Sequence, residues 1–170
     1  MDADRRCKCF KEGTKSFVFD AEAVAIDKTM GKLMPFQELS RRKRKDVKVE
    51  DITVQVCLFA FDLLYLNGEV CFLILFASFL SDLAFKPLLH KSLEERRALL
   101  REHFVPVPFE FDFAKASDGE TTEEIQLFLE ESVKDGCEGL MVKMLYSDAS
   151  FYEPSRRSVN WLKVWSSCWI

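Results

Sequence analysis

Residues 54–66 are the part of the sequence that most restricts the fold, because they read as one long β-strand. Valine, leucine, phenylalanine and tyrosine dominate this stretch, and the turn signal Asn67-Gly68 follows it directly. Alternate residues of a strand point to the same side of a sheet. The aromatic and aliphatic side chains on one predicted face are Phe59, Phe61, Leu63 and Tyr65.

Helices are predicted between the strands. Ser92 with Glu95, and Thr121 with Glu124, form capping-box patterns that open helices extending to residues 104 and 135. A further helix is predicted over residues 35–45, and further strands over 16–27, 138–143 and 160–164. Strands interleaved with helices predict an α/β or α+β sheet with helical cover.

The predicted strand over residues 138–143 carries a functional signal, because an acid and a base stand at its two ends. The residues between Glu138 and Lys143 are apolar apart from Gly139. A buried carboxylate needs a cationic partner, either a metal ion or a lysine. A surface strand with solvated ends is the alternative for such an isolated match. Strand alternation points Glu138 and Lys143 to opposite faces, unless Gly139 permits a bulge.

Composition limits the possible functions. The 170 residues are 48% hydrophobic, which suits one globular domain or part of one, and the net charge of −4 argues against gripping nucleic acid by phosphate neutralisation. Six cysteines without a Cys-x-x-Cys pair and only two histidines disfavour a zinc site. The residues after Met1 are charged and do not form a secretory signal, so we expect an intracellular protein with reduced thiols.

One apolar segment does not fit the pattern of strands and helices. Residues 70–80 carry no charge, and the segment is shorter than the roughly 20 residues that span a membrane. It could be an extra core helix, an interfacial segment or sequence that was never selected to fold. We therefore expect no membrane attachment, with liposome flotation as the test.

Five sequence blocks, in order, resemble one protein family. They are Phe-Asp-Ala-Glu-Ala-Val-Ala (19–25), Pro-Phe-Gln-Glu-Leu with Arg-Lys-Arg-Lys (35–45), Phe-Ala-Phe-Asp-Leu-Leu-Tyr-Leu-Asn-Gly (59–68), Cys-Glu-Gly-Leu-Met-Val-Lys (137–143) and Arg-Ser-x-Asn-Trp-Leu-Lys (157–163). They are similar to the adenylation domain of eukaryotic ATP-dependent DNA ligases of the replicative DNA ligase I type. The resemblance implies an α+β fold: a partial, ATP-grasp-like nucleotidyltransferase domain of antiparallel sheets flanked by helices, covering residues 1–170.

The resemblance also implies a chemistry and a set of site residues. Such enzymes attach AMP from ATP to a lysine, transfer it to the 5′-phosphate at a DNA nick, and release it as the nick is sealed in replication, repair and recombination. Glu22 matches the acidic residue near the ribose, which also supports metal binding, and Phe61 matches the aromatic that stacks on adenine. Glu138 matches a ligand of Mg²⁺ near the phosphates. Lys143 and Lys163 match lysines of the nucleotide site, and Lys163 meets the α-phosphate.

The sequence departs from the family pattern at its chemical centre. The nucleophile is the lysine of Lys-x-Asp-Gly, expected well before Glu22, and the sequence contains no such string. The nearest match, residues 134–136, lacks the intervening residue and is interpreted as a helix cap. The family's Lys-x-Lys is Lys163-Val164-Trp165 here, and an indole cannot replace the lost charge. We therefore expect the chain to be unable to adenylylate itself.

Residues 70–86 interrupt the family pattern and have the form of a translated in-frame intron. The OB-fold and the N-terminal DNA-binding domain of the family are expected to be absent. The resemblance implies nicked double-stranded DNA as the partner of the parent enzyme, weak or no DNA binding by this fragment, and a nuclear location. The alternative function is a non-catalytic fragment that binds a nucleotide or a protein partner. An RNA ligase or capping guanylyltransferase shares the chemistry but fits the blocks around Phe61 and Trp161 less well.

Overall fold

A computed structural model of the chain describes residues 8–27, 29–40, 54–67, 88–153 and 160–165. The chain divides into two compact units. The first unit comprises residues 1–21, 60–105 and 144–157, and the second comprises residues 22–59, 106–143 and 158–170. Two boundaries between the units fall inside predicted strands. One lies between Ala21 and Glu22, and the other lies between Phe59 and Ala60.

The described residues contain six strands and three α-helices. In chain order these are β1 (Phe17–Asp27), β2 (Lys32–Leu33), α1 (Phe36–Ser40), β3 (Gln55–Leu66), α2 (Leu93–His103), β4 (Phe111–Phe113), α3 (Thr122–Lys134), β5 (Gly139–Lys143) and β6 (Trp161–Trp165). Short 3-10 turns occupy Leu88–His90 and Asp148–Ser150. Four strands form a sheet in the order β2-β1-β3-β4, and β5 pairs with β6 in an antiparallel two-stranded ribbon.

Local sequence signals fix the helix starts as predicted. At α2 the Ser92 hydroxyl accepts from the Glu95 amide at 3.2 Å, and the Glu95 carboxylate accepts from the Ser92 amide at 2.9 Å. Thr121 and Glu124 make the same reciprocal pair at α3. The hydrogen bonds from the Ser92 amide and hydroxyl lower the pKa of Glu95, and those from the Glu120 and Thr121 amides lower the pKa of Glu124. Both predicted capping boxes are therefore confirmed.

The first unit is organised around a buried ion pair. Arg96 on α2 donates from Nε to one oxygen of Asp62 on β3 at 2.7 Å, and from Nη2 to the other at 2.9 Å. Both side chains have no solvent exposure. The remaining guanidinium nitrogen donates to the carbonyl oxygens of Lys91 and Ser150. Arg96 therefore joins β3, the start of α2 and the turn that ends at Ser150.

Aromatic packing completes the first unit. The Phe17 ring stacks on Phe19 with centroids 5.4 Å apart and meets the buried Phe104 ring edge-on at 4.8 Å. Asn67, at the end of β3, accepts from the Lys15 amide at 2.7 Å and donates to the Gly13 carbonyl at 2.8 Å. The predicted turn residue thus also anchors the segment that leads into β1.

Among the described residues of the second unit, four hydrophobic side chains are buried. These are Ala25, Ile26, Cys57 and Phe111. Burial, reinforced by the negative charges of Asp112 and Glu110, raises the pKa of the Cys57 thiol and so favours the protonated thiol over the nucleophilic thiolate. On α3, Ile125, Phe128 and Leu129 are half-buried and Val133 is 39% exposed, so the apolar side of this helix is only partly covered.

Some predictions fall outside the described residues. One is the basic end of the helix predicted over residues 35–45; the structure describes only its first part, as α1. The other is the apolar insertion 70–86. In the described ranges, no helix is long and apolar enough to cross a membrane.

Candidate functional site

The end of helix α3 delivers Glu138 to the start of β5. Gly136 adopts a left-handed conformation with φ of +89°, and its amide donates to the Val133 carbonyl at 3.0 Å. The Cys137 amide then donates to the Ser132 carbonyl at 2.9 Å. This pair of bonds is the Schellman motif that terminates helices at glycine. The interpretation of residues 134–136 as a helix cap agrees with this geometry, and the chain turns directly into β5.

The register of the β5–β6 ribbon brings both predicted lysines to one face. Lys143 lies opposite Trp161, Met141 opposite Lys163, and Gly139 opposite Trp165. Directly paired residues of antiparallel strands point to the same side, and alternate residues of each strand share that side. We call this side the ribbon face; its members are Met141, Lys143, Trp161, Lys163 and Trp165.

Each lysine of the ribbon face lies over an indole ring. The Lys143 ammonium is 4.3 Å from the centroid of Trp161, and the Lys163 ammonium is 3.5 Å from the centroid of Trp165. Both distances lie within the range of favourable cation–π contacts. Trp165 shares this face with Lys163, because the two residues are two positions apart on β6.

Glu138 also reaches the ribbon face. Its carboxylate lies 3.9 Å from the Lys163 ammonium, and its side chain is 76% exposed. The strand begins at Gly139, so strand alternation does not apply to Glu138. The expectation that Glu138 and Lys143 point to opposite faces assumed that the strand starts at residue 138, one residue earlier than β5 does. Glu138 instead contacts Lys163, which lies on the same face as Lys143.

Gly139 is required by the close approach of the two strands. A Cβ atom at this position would collide with the carbonyl oxygen of Val164 and lie 3.0 Å from the Cα of Trp165. Glycine therefore permits the strand pairing that sets the ribbon face. A β-bulge is not needed to explain this glycine, because the pairing runs without interruption from Gly139 to Lys143.

The two other predicted site residues lie on the long strands. Glu22 is exposed on β1 in the second unit, whereas Phe61 is half-buried on β3 in the first unit. Across the described ranges, no group of three or more His, Cys, Asp or Glu side chains is arranged to hold a metal ion. Mg²⁺ often takes only one or two protein carboxylates and completes its shell with water and substrate phosphates. The exposed carboxylates of Glu22 and Glu138 fit that donor chemistry.

Two features of the site region were missed in the sequence. Asp62, next to Phe61, holds the buried pair with Arg96, and a lone carboxylate inside the apolar stretch 54–66 was the available signal. The stacking of Lys143 on Trp161 depends on the register between distant strands. Local sequence contains no signal for that register.

Comparison with known proteins identifies the class. The family model described as ATP dependent DNA ligase domain matches residues 3–164, and the chain belongs to this family. DNA ligase 1 of Schizosaccharomyces pombe is 53% identical over 154 residues, which is 91% of this chain and 18% of that protein. DNA ligase 1 of Saccharomyces cerevisiae is 49% identical over 151 residues, or 89% of this chain and 18% of that protein. The chain thus spans about a fifth of the length of these relatives.

A solved structure supports the same fold. Mycobacterial DNA ligase D, complexed with ATP and MES, matches 86% of this chain and 37% of its own chain, with a TM-score of 0.53 and 26% sequence identity. The predicted α+β nucleotidyltransferase fold and the resemblance to the ligase adenylation domain are both confirmed.

Proposed function

We propose that the ribbon face and Glu138 form part of the nucleotide site of an ATP-dependent DNA ligase adenylation domain. The observation that carries this proposal is the convergence of Lys143, Lys163 and Glu138 at one face of the β5–β6 ribbon in a member of this family. Two ammonium groups on one face attract a polyphosphate, because each can donate charge-assisted hydrogen bonds to phosphate oxygens. The ATP bound in the structure of DNA ligase D supports the ligand class.

Each proposed site residue has a defined role. Lys163 and Lys143 hold phosphate oxygens. For Phe61, the resemblance to the family supports the proposal that its ring stacks on adenine. Glu138 and Glu22 would hold Mg²⁺ through carboxylate oxygens. The metal would supply positive charge that offsets the charge on the phosphates. The protein's own contribution is to position the phosphates on the ribbon face.

We infer that these 170 residues do not form the lysine–AMP intermediate. Covalent adenylylation needs a lysine activated as a nucleophile, and the sequence contains no Lys-x-Asp-Gly string. Incubation with ATP labelled at the α-phosphate, with Mg²⁺, should leave the chain unlabelled after denaturing electrophoresis. DNA ligase 1 of Saccharomyces cerevisiae, treated in parallel, is the positive control. A labelled adduct that survives denaturing electrophoresis and alkali but is released by acid, as a lysine–AMP phosphoramidate is, would overturn the inference.

Nucleotide binding is tested separately from covalent chemistry. We expect ATP with Mg²⁺ to raise the thermal midpoint of the chain, and Lys163→Met and Phe61→Ala each to reduce that shift. Lys115→Met is the matched control, since Lys115 is an exposed lysine that pairs with Glu131 and Asp135. An ATP shift that survives Lys163→Met and Phe61→Ala unchanged would refute the proposed site.

Membership of the DNA ligase family suggests a cellular role for the parent enzyme. We propose that the parent enzyme seals nicked double-stranded DNA in replication, repair and recombination in the nucleus, as the DNA ligase 1 relatives suggest. The chain alone is proposed to bind DNA weakly or not at all, because its net charge of −4 opposes phosphate contact. A chain retaining nucleotide binding without adduct formation would act as a non-catalytic nucleotide-binding fragment.

A further inference from the structure

Lys163 has two neighbours that compete with any anion. The Trp165 ring centroid lies 3.5 Å from its ammonium, and the Glu138 carboxylate lies 3.9 Å away on a side chain that is 76% exposed. The Lys163 side chain itself is 47% exposed. Its ammonium is therefore accessible to solvent but already engaged by an indole.

We propose that Trp165 caps the Lys163 ammonium and so weakens the hold of the ribbon face on polyphosphates. The proposal rests on the nucleotide site proposed above and adds to it a residue that sets its affinity for phosphate. An incoming phosphate oxygen needs the N–H donors of the ammonium, so it must compete with the contact to the ring.

The two Lys–Trp contacts differ in a way that singles out Trp165. Trp161 is half-buried and lies directly opposite Lys143, so it also belongs to the packing of the ribbon. Trp165 is 57% exposed, and its direct partner across the ribbon is Gly139, which has no side chain. Replacing Trp165 therefore removes the cap on Lys163 without removing a directly paired side chain across the ribbon.

The magnitude follows from the exposure of the contact. Cation–π contacts at exposed sites correspond to about a two- to fivefold change in an equilibrium constant. Trp165→Ala is therefore expected to tighten binding of inorganic tripolyphosphate about two- to fivefold. Trp165→Lys also adds a positive charge to the same face, so it is expected to tighten binding by a further severalfold, with the additional gain lost at high salt.

A double-mutant cycle isolates the cap. Tripolyphosphate affinity is measured at low ionic strength by calorimetry on the full chain for wild type, Trp165→Ala, Lys163→Met and the double variant. We expect Trp165→Ala to tighten binding when Lys163 is present and to have no effect in the Lys163→Met background. Unchanged or weaker binding by Trp165→Ala, or the same gain without Lys163, would overturn the proposal.

A ligand-free measurement separates this inference from the proposed function. In NMR spectra, the ring current of Trp165 should shift the ε-methylene protons of Lys163 upfield, and Trp165→Ala should abolish that shift while Lys115 resonances stay unchanged. Absence of the upfield shift in wild type overturns the cap whatever the affinity. If the shift is present and wild type, Trp165→Ala and Trp165→Lys all fail to bind both ATP and tripolyphosphate, the proposed nucleotide site is refuted instead.

Discussion

The buried pair of Asp62 and Arg96 gives the sharpest prediction about stability. Arg96→Met preserves most of the side-chain volume but removes every donor that the guanidinium supplies to Asp62 and to two carbonyl oxygens. The Asp62 carboxylate would keep the bond from the Leu63 amide at 2.9 Å and lose both charged donors. Breaking a buried pair from one side costs about 3–5 kcal/mol.

A urea titration followed by circular dichroism measures this cost. With a denaturant slope of about 2 kcal/mol per molar, a loss of about 4 kcal/mol lowers the unfolding midpoint by about 2 M. Lys115→Met is the matched control, because Lys115 meets Glu131 at the same 2.7 Å distance that separates Arg96 Nε from Asp62, but with both side chains more than half exposed. The control midpoint should barely move.

A second substitution tests why the pair is costly to break. The double variant Asp62→Leu/Arg96→Met removes the stranded carboxylate and should recover part of the lost stability. Recovery should be incomplete, because the Lys91 and Ser150 carbonyls still lack their donor. If Arg96→Met moves the urea midpoint no further than Lys115→Met does, burial does not set the energetic cost of breaking this ion pair.

Three further predictions concern local geometry. Gly139→Ala should disrupt the β5–β6 ribbon, because its Cβ would collide with the Val164 carbonyl; a thermal midpoint and Trp emission equal to wild type would contradict this. Asn67→Ala should be about 1 kcal/mol less stable in urea than Asn67→Gly. Both variants lose the hydrogen bonds of the Asn67 side chain, but only alanine is strained at φ of +46°. Equal unfolding midpoints for the two variants would argue against that strain. The lowered pKa of Glu95 stabilises the fold above the ordinary value of 4.5, and this gain is lost as pH falls through the lower folded value. Ser92→Ala removes the hydroxyl part of this gain, so the difference in thermal midpoint between Ser92→Ala and wild type should narrow in acid. It should not close, because the lost bond from the Glu95 amide to the Ser92 hydroxyl does not depend on pH, and a difference that is the same at every pH would exclude the linkage.

Features encoded within a few residues were predictable from sequence. The capping boxes at Ser92 and Thr121 and the glycine that ends α3 each depend on neighbours within one helical turn. The long strand 54–66 was likewise predicted to within one residue of β3, because its residue types and the following turn signal agree.

Features that depend on distant segments were not predictable in the same way. The partner of Asp62 lies 34 residues away on another element, and sequence alone offers several arginines as candidates. The relation between Glu138 and Lys143 depended on whether the strand starts at residue 138 or 139, and helix and strand limits are the least certain part of any sequence pattern. The intron origin of residues 70–86 remains a prediction, which comparison of the transcript with the gene would test.

The indole rings of the ribbon face offset the charge repulsion between its two lysines. Lys143 and Lys163 are diagonal neighbours across the two strands, a relation in which residues are about 7–8 Å apart, so their like charges repel each other. Each ammonium instead contacts the electron-rich face of its own indole, and Glu138 adds a negative charge beside Lys163. A polyphosphate that bridges both lysines would replace these contacts with stronger ones between full charges. The indole and Glu138 contacts therefore stabilise the two ammonium groups in the absence of a ligand. A phosphate that replaces these contacts must bind with a larger favourable free energy than they provide.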